Sequence, residues 1–284
     1  MLLNKNERIC VVAPSSSICE GDYIELNQGK KFVEKYVKEV VIDSKIEVND
    51  YKVKANSLNN ALSSNEYNFV IAACGGEGSI NVIKYLDPLK IKNSLLGFSD
   101  ITSILNYIYL ETNIVTYHGC NLKTFGRSGD RKINEICFKD FEKVFTEEKY
   151  LIEEEKFKVV QEGKSEGILL GGNLTCFLLL AEIYDIDLEN KILFLEDLGF
   201  ETSANKLEIL FKKLKTLKNF DKLSGIILGN YEVETKEKIE DIFIKNTNID
   251  IPVIKTECIG HGKTNLIIPI GKKAVIDRNT LKIL

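Results

Sequence analysis

Short apolar runs, rich in β-branched residues and ended by turn-forming residues, alternate along the chain with stretches of helical periodicity. Arg8 to Ala13 reads as a buried strand, closed by Pro14 and the serine turn Ser15 to Ser17. Phe69 to Cys74 reads as a second, running into Gly75-Gly76-Glu77-Gly78. Ser94 to Phe98 is a third and ends at Ser99-Asp100, after which Ile101, Ile104, Leu105 and Ile108 mark the apolar face of a helix. Further on, Gly167 to Leu170, Lys191 to Leu195 and Gly225 to Leu228 predict strands. The first of these leads into Gly171-Gly172-Asn173 and then an apolar helix through Ile183, and a second helix is predicted around Leu207, Leu210, Phe211 and Leu214. Leu266 to Leu284 predicts short strands turning at Gly271-Lys272 and at Asp277-Arg278-Asn279.

This alternation is that of an α/β protein with parallel strands. We expect an N-terminal parallel-sheet lobe over residues 1–125 and a C-terminal α/β lobe with a β-rich end over 165–284. Between them, 126–164 reads as a linker region without a clean boundary, in which a loop-like Gly126 to Arg131, an amphipathic stretch and a charged run from Glu153 to Lys156 follow one another and the core holds some structure.

At 284 residues the chain is long enough for two modest cores. Forty-two acidic against thirty-eight basic residues leave a net charge of −4, which gives no electrostatic reason to expect nucleic acid or an anionic membrane as partner. No apolar run reaches the roughly 18–20 residues of a membrane-spanning helix, and the N-terminus is too polar for a signal peptide. Seven cysteines are scattered without a CxxC pair, which suits free thiols in a reducing compartment better than a disulfide framework or a zinc site. A cytoplasmic location is expected, with no metal or other cofactor.

Chemistry has few candidates. There are two histidines, the usual general base near neutral pH. His261 stands between glycines in Gly260-His261-Gly262, and His118 lies at a strand end in Tyr117-His118-Gly119. Either could be a hydrogen-bonded structural residue, but flanking glycines allow close approach of a ligand to His261. Ser99 sits where a strand runs straight into a helix, the geometry of a nucleophile elbow, in which the amide of Asp100 would face an oxyanion. The match is partial, since G-x-S-x-G would need glycine at Ile101, and a plain helix cap is the alternative. The glycine turn could cradle an anion or form a tight turn; it lacks the pattern of a nucleotide loop. Glu196-Asp197 closes a strand and could orient a histidine or cap the next segment.

Taken in order, these segments resemble the LD-carboxypeptidase family, which includes the microcin-immunity serine peptidases. The resemblance runs through Val12 to Ser16, the Gly75-Gly76 turn, Gly97 to Thr102 and His118-Gly119. It continues with Gly171 to Leu174, Phe194 to Asp197, Gly260-His261 and Asn265 to Gly271. It implies a Ser99-Glu196-His261 triad, an oxyanion hole from the amides of Gly76 and Asp100, and substrate contacts at Glu77, His118 and Asn173. Asp197 and Glu201 are the other acids placed to act in the triad. The implied protein is a homodimer acting on a small peptide-like substrate. That substrate is either a muropeptide cut at an L-to-D linkage or a peptidyl- or aminoacyl-nucleotide antibiotic; a catalytically idle binding protein on the same fold is the third reading. The chain departs from the wall-recycling pattern at Cys74 and Glu77, where arginine and tyrosine are common, and at Cys120, where proline is usual.

Overall fold

The computed structural model describes residues 6–127, 141, 143, 147, 149–152, 156–198, 203–231, 237–262 and 264–284. The chain divides into two compact units, Met1–Glu148 with Ile267–Pro269, and Lys149–Leu266 with Ile270–Leu284.

In the first unit, β1 (Arg8–Val12), β2 (Glu39–Ile42), β3 (Phe69–Ala72), β4 (Ser94–Gly97) and β5 (Thr116–His118) lie in the order β5-β4-β3-β1-β2. Each pairs in parallel with its neighbours. Ile9, Val11, Phe69, Ile71, Leu95 and Leu96 are wholly buried, as expected of strands covered on both faces. The connecting helices are α1 (Tyr23–Val33), α2 (Tyr51–Ser63), α3 (Ser79–Ile83), α4 (Thr102–Thr112) and α5 (Leu122–Gly126). Asp50 caps α2 by accepting from the amides of Lys52 and Val53. Parallel pairing puts the turns after β1, β3 and β4, three adjacent strands, at one carboxyl-terminal edge, where α/β sheets bind ligands.

The second unit contains β6 (Tyr150–Ile152), β7 (Lys158–Gln161), β8 (Lys164–Asn173), α6 (Leu174–Ile183), β9 (Lys191–Asp197), α7 (Ala204–Lys215), β10 (Gly225–Tyr231), α8 (Ile239–Thr247) and β11 (Val253–Lys255). After β12 (Ile268–Ile270) come β13 (Lys273–Asp277) and β14 (Thr280–Ile283). Eight strands form one sheet in the order β6-β14-β13-β8-β9-β10-β11-β7. Its centre, β8 to β11, is parallel and its flanks are antiparallel. The predicted β-rich end is therefore present. Among the described residues no helix is long and apolar enough to cross a membrane.

Two details differ from the reading of the sequence. The region read as a linker carries β6 and β7, both strands of the second sheet. Each is a short edge strand with a charged or half-exposed face, so its sequence lacks the apolar run that marks a central strand. Ser128 to Arg131 and Glu153 to Glu155, the rest of that reading, lie outside the described residues. The second difference is β12, which joins the first sheet beside β5 rather than the C-terminal one. A pairing so distant in sequence leaves no local signature.

Glu240, at the start of α8, ties the edge strand down. It is 5% exposed and receives Lys158 of β7 at 3.0 Å and Lys255 of β11 at 3.2 Å. Burial alone would raise its carboxyl; its own backbone N–H and the two lysines outweigh that and hold it at about 2 against an ordinary 4.5. A depressed carboxylate contributes stability that is complete above 4.5 and lost as pH falls toward about 2. Melting curves should show the Glu240→Gln protein losing less Tm than wild type across that window. Parallel curves would remove Glu240 from the acid response.

Candidate active site

Ser99 follows β4 through Phe98 and opens a short 3-10 turn, Ser99–Ile101, that leads into α4. Its φ is +63°, a left-handed conformation that a residue with a side chain adopts at a cost of order 1–3 kcal/mol. Such an elbow is what lifts a nucleophile off a strand end. The glycine turn after β3 lies against it. A Cβ on Gly75 would come 3.0 Å from Ser99 Cβ, and one on Gly76 would meet Ser16 Oγ at 2.0 Å. Gly76 also has φ +119°, so only glycine fits there. Neither Gly75 nor Gly76 spends its amide on a hydrogen bond to any described residue. Two backbone donors beside a strained serine make an anion-receiving face.

In the second unit the parallel strands present their own carboxyl-terminal edge. Glu196, on β9, is fully buried, and its Oε2 lies 2.7 Å from His261 Nδ1. His261 belongs to the loop after β11, which is folded back by Leu266 N–H to Cys258 O, by Asn230 N–H to Ile259 O at 2.7 Å, and by Gly260 N–H to Asn265 Oδ1 at 3.0 Å. Gly260 has φ +108°, and a Cβ there would stand 2.6 Å from Glu196 Oε2. The glycine beside His261 is thus required by the carboxylate that the histidine meets. A carboxylate on Nδ1 fixes the tautomer in which Nε2 carries no proton.

Asp197 points elsewhere. Its carboxylate takes Asn173 Nδ2 at 3.1 Å, Thr175 Oγ1 at 2.8 Å and the amides of Thr175 and Leu198. Burial raises its carboxyl, although these donors oppose the shift. Asn173 Oδ1 meanwhile caps α6 through Cys176 N–H at 3.0 Å. Both polar ends of Asn173, expected to touch substrate, are therefore engaged in holding the β8–α6 corner. His118 is fully buried and meets Phe98 edge-on at 6.2 Å. Glu77 is exposed on the glycine turn, its amide bonded to Ser16 Oγ. Glu201 lies outside the described residues.

The six described cysteines are free thiols. Cys74, beside the glycine turn, is pushed up to about 11 by burial, which keeps it protonated and poorly nucleophilic at neutral pH. Tyr231 went unnoticed in the sequence: it is buried at the end of β10, and its hydroxyl is pushed well above the ordinary 10.0 by burial and by Asp197 and Glu196. Only the pairing of β10 with β9 brings it there.

Ser99 with its glycine turn and Glu196 with His261 can be set beside known proteins. Residues 9–119 match the model of the LD-carboxypeptidase N-terminal domain, and residues 166–276 that of the LD-carboxypeptidase C-terminal domain. A candidate carboxypeptidase of Rickettsia conorii is 30% identical over 75% of this chain and 69% of its own length. The probable murein peptide carboxypeptidase of Bacillus subtilis is 26% identical over 97% and 90%. The crystal structure of an MccF-like protein from Bacillus anthracis superposes with a TM-score of 0.87 at 25% identity, covering 100% of this chain and 99% of that one. An elbow serine, a buried glutamate-histidine pair and two matching domain models in order have one common explanation: the chain belongs to the LD-carboxypeptidase family.

Proposed function

We propose that this protein is a serine peptidase that hydrolyses an L-to-D peptide bond in a muropeptide-like substrate, with Ser99 as nucleophile, His261 as base and Glu196 as the group that orients the base. The observation that carries this reading is the buried contact between Glu196 Oε2 and His261 Nδ1 at 2.7 Å. A histidine held in that way is a general base waiting for a hydroxyl. The family supports the hydrolase class, and the Bacillus subtilis relative bears the name of a murein peptide carboxypeptidase.

In this reading His261 Nε2 takes the Ser99 proton as Oγ attacks the scissile carbonyl. The amides of Gly76 and Asp100 receive the oxyanion, an interaction that typically contributes about 3–4 kcal/mol per donor to the transition state. Protonated His261 returns the proton to the departing amine, leaving an acyl-enzyme. Water, deprotonated by the same imidazole, releases the acid and frees Ser99. Glu77, exposed on the glycine turn, is the polar side chain offered to substrate there.

The test is release of D-alanine from tetrapeptides carrying L-lysine or meso-diaminopimelate, with an all-L tetrapeptide alongside. We expect release from the L,D substrates and none from the all-L one. A folded protein that ignores all of them but cleaves an aminoacyl- or peptidyl-nucleotide would move the substrate to that class. Inertness toward every substrate would leave a binding protein on the same fold.

A further inference from the structure

A buried lysine near the proposed nucleophile has no part in the chemistry above. Lys54, on α2, is 3% exposed, and its ammonium donates to the carbonyl of Ser15 and to Asn49 Oδ1 at 3.1 Å. Both acceptors are neutral, and a buried cation needs a countercharge. The anion stands on the other side of Ser15: Ser15 Oγ donates to Asp100 Oδ2 at 2.5 Å, and Asp100 is itself 7% exposed. Ser15, wholly buried, is thus gripped at its carbonyl by a cation and at its hydroxyl by an anion.

That grip is passed directly to the glycine turn. Ser16, next in the chain, donates its amide to Gly75 O at 3.4 Å and accepts Glu77 N–H on Oγ at 3.2 Å. Its carbonyl takes the Cys74 thiol at 3.3 Å. The far end of the turn is held by the same carboxylate, since Asp100 Oδ2 accepts Ser79 N–H at 2.8 Å and Asp100 O accepts Ser79 Oγ. Asp100 also adjoins Ser99 in the elbow. The turns after β1, β3 and β4 are therefore joined into one polar frame around the Gly75 and Gly76 amides.

We propose that Lys54 is a positioning residue, which acts through Ser15 and Asp100 to hold the Gly76 and Asp100 amides where the oxyanion forms. Stability alone is a weak reason for a charge at this place. Burying an ammonium against neutral acceptors costs desolvation that two hydrogen bonds offset only in part. What an apolar residue cannot supply is a directed bond to the Ser15 carbonyl, and small misplacements of a donor matter far more to a transition state than to a melting temperature. The inference rests on Ser99 being the nucleophile.

The experiment uses Lys54→Met, Ser15→Ala and the double variant in the whole chain. It reads the rate at which a fluorophosphonate probe phosphonylates Ser99 with loss of fluoride, then kcat and KM on the cleaved peptide, and Tm. We expect each single variant to lose about 10²-fold in labelling rate and kcat, the scale of one oxyanion donor, with KM changed less than about threefold. If the two residues form one chain of contacts, the double variant should be no slower than the slower single. A wild type that the probe does not label would bring down the nucleophile and this inference with it. A labelled wild type with an equally reactive Lys54→Met would overturn the inference alone. Should Lys54→Met fail to fold, Ser15→Ala decides, because it keeps the carbonyl that Lys54 holds; a folded Ser15→Ala of wild-type reactivity also overturns it.

Discussion

The Ser99→Ala protein should fold with an unchanged melting temperature, take up no fluorophosphonate, and lose about 10⁴- to 10⁶-fold in kcat. Folding is expected to survive because Ser99 is only half-buried and alanine removes one oxygen. The turn and α4 hold the +63° conformation in place for alanine as for serine. The loss of labelling should be complete, since the alternative nucleophile beside the turn, Cys74, is held protonated by its burial. Mass spectrometry of the labelled wild type should place the adduct on Ser99. An adduct on another residue, or a Ser99→Ala protein retaining a tenth of wild-type activity, would end the serine mechanism.

Several features of this site could be read from residue order, and others could not. Strands β1, β3, β4, β9 and β10 were legible because a central parallel strand is an uninterrupted apolar run, and the position of Ser99 follows from such a run meeting a helix at once. Strand β2 and helices α1 and α2 were not singled out, their apolar positions being sparse among charged and amide residues. Without α2, the buried role of Lys54 was invisible, since a lysine in a polar helix reads as a solvated one. The choice between Glu196 and Asp197 also needed the structure. Adjacent residues on a strand point to opposite faces, and only the placement of Gly260 and Asn173 reveals which face meets the histidine. Nor does the sequence reveal that Asn173 caps α6 and is fastened to Asp197.

That division of labour between neighbouring acids gives the second large effect. Glu196→Gln should fold, because glutamine fills the same buried space against Gly229 and Gly260. Its amide, however, can turn an NH₂ donor toward His261 Nδ1, which then accepts and leaves the proton on Nε2. An imidazole in that tautomer cannot deprotonate Ser99, and the same exchange in a serine-protease triad costs about 10⁴-fold in kcat. We expect a loss of that size in kcat and in the rate of labelling by the probe, with KM changed little. Asp197→Asn should behave in the opposite way. It disturbs bonds to Asn173, Thr175 and Leu198 that hold the β8–α6 corner, so its cost should fall on Tm, with labelling slowed less than about tenfold. The pair of variants therefore separates chemistry from scaffolding at one strand end. If Asp197→Asn proved the dead enzyme and Glu196→Gln retained most of its rate, the histidine's partner would be the wrong acid, whatever the 2.7 Å contact suggests.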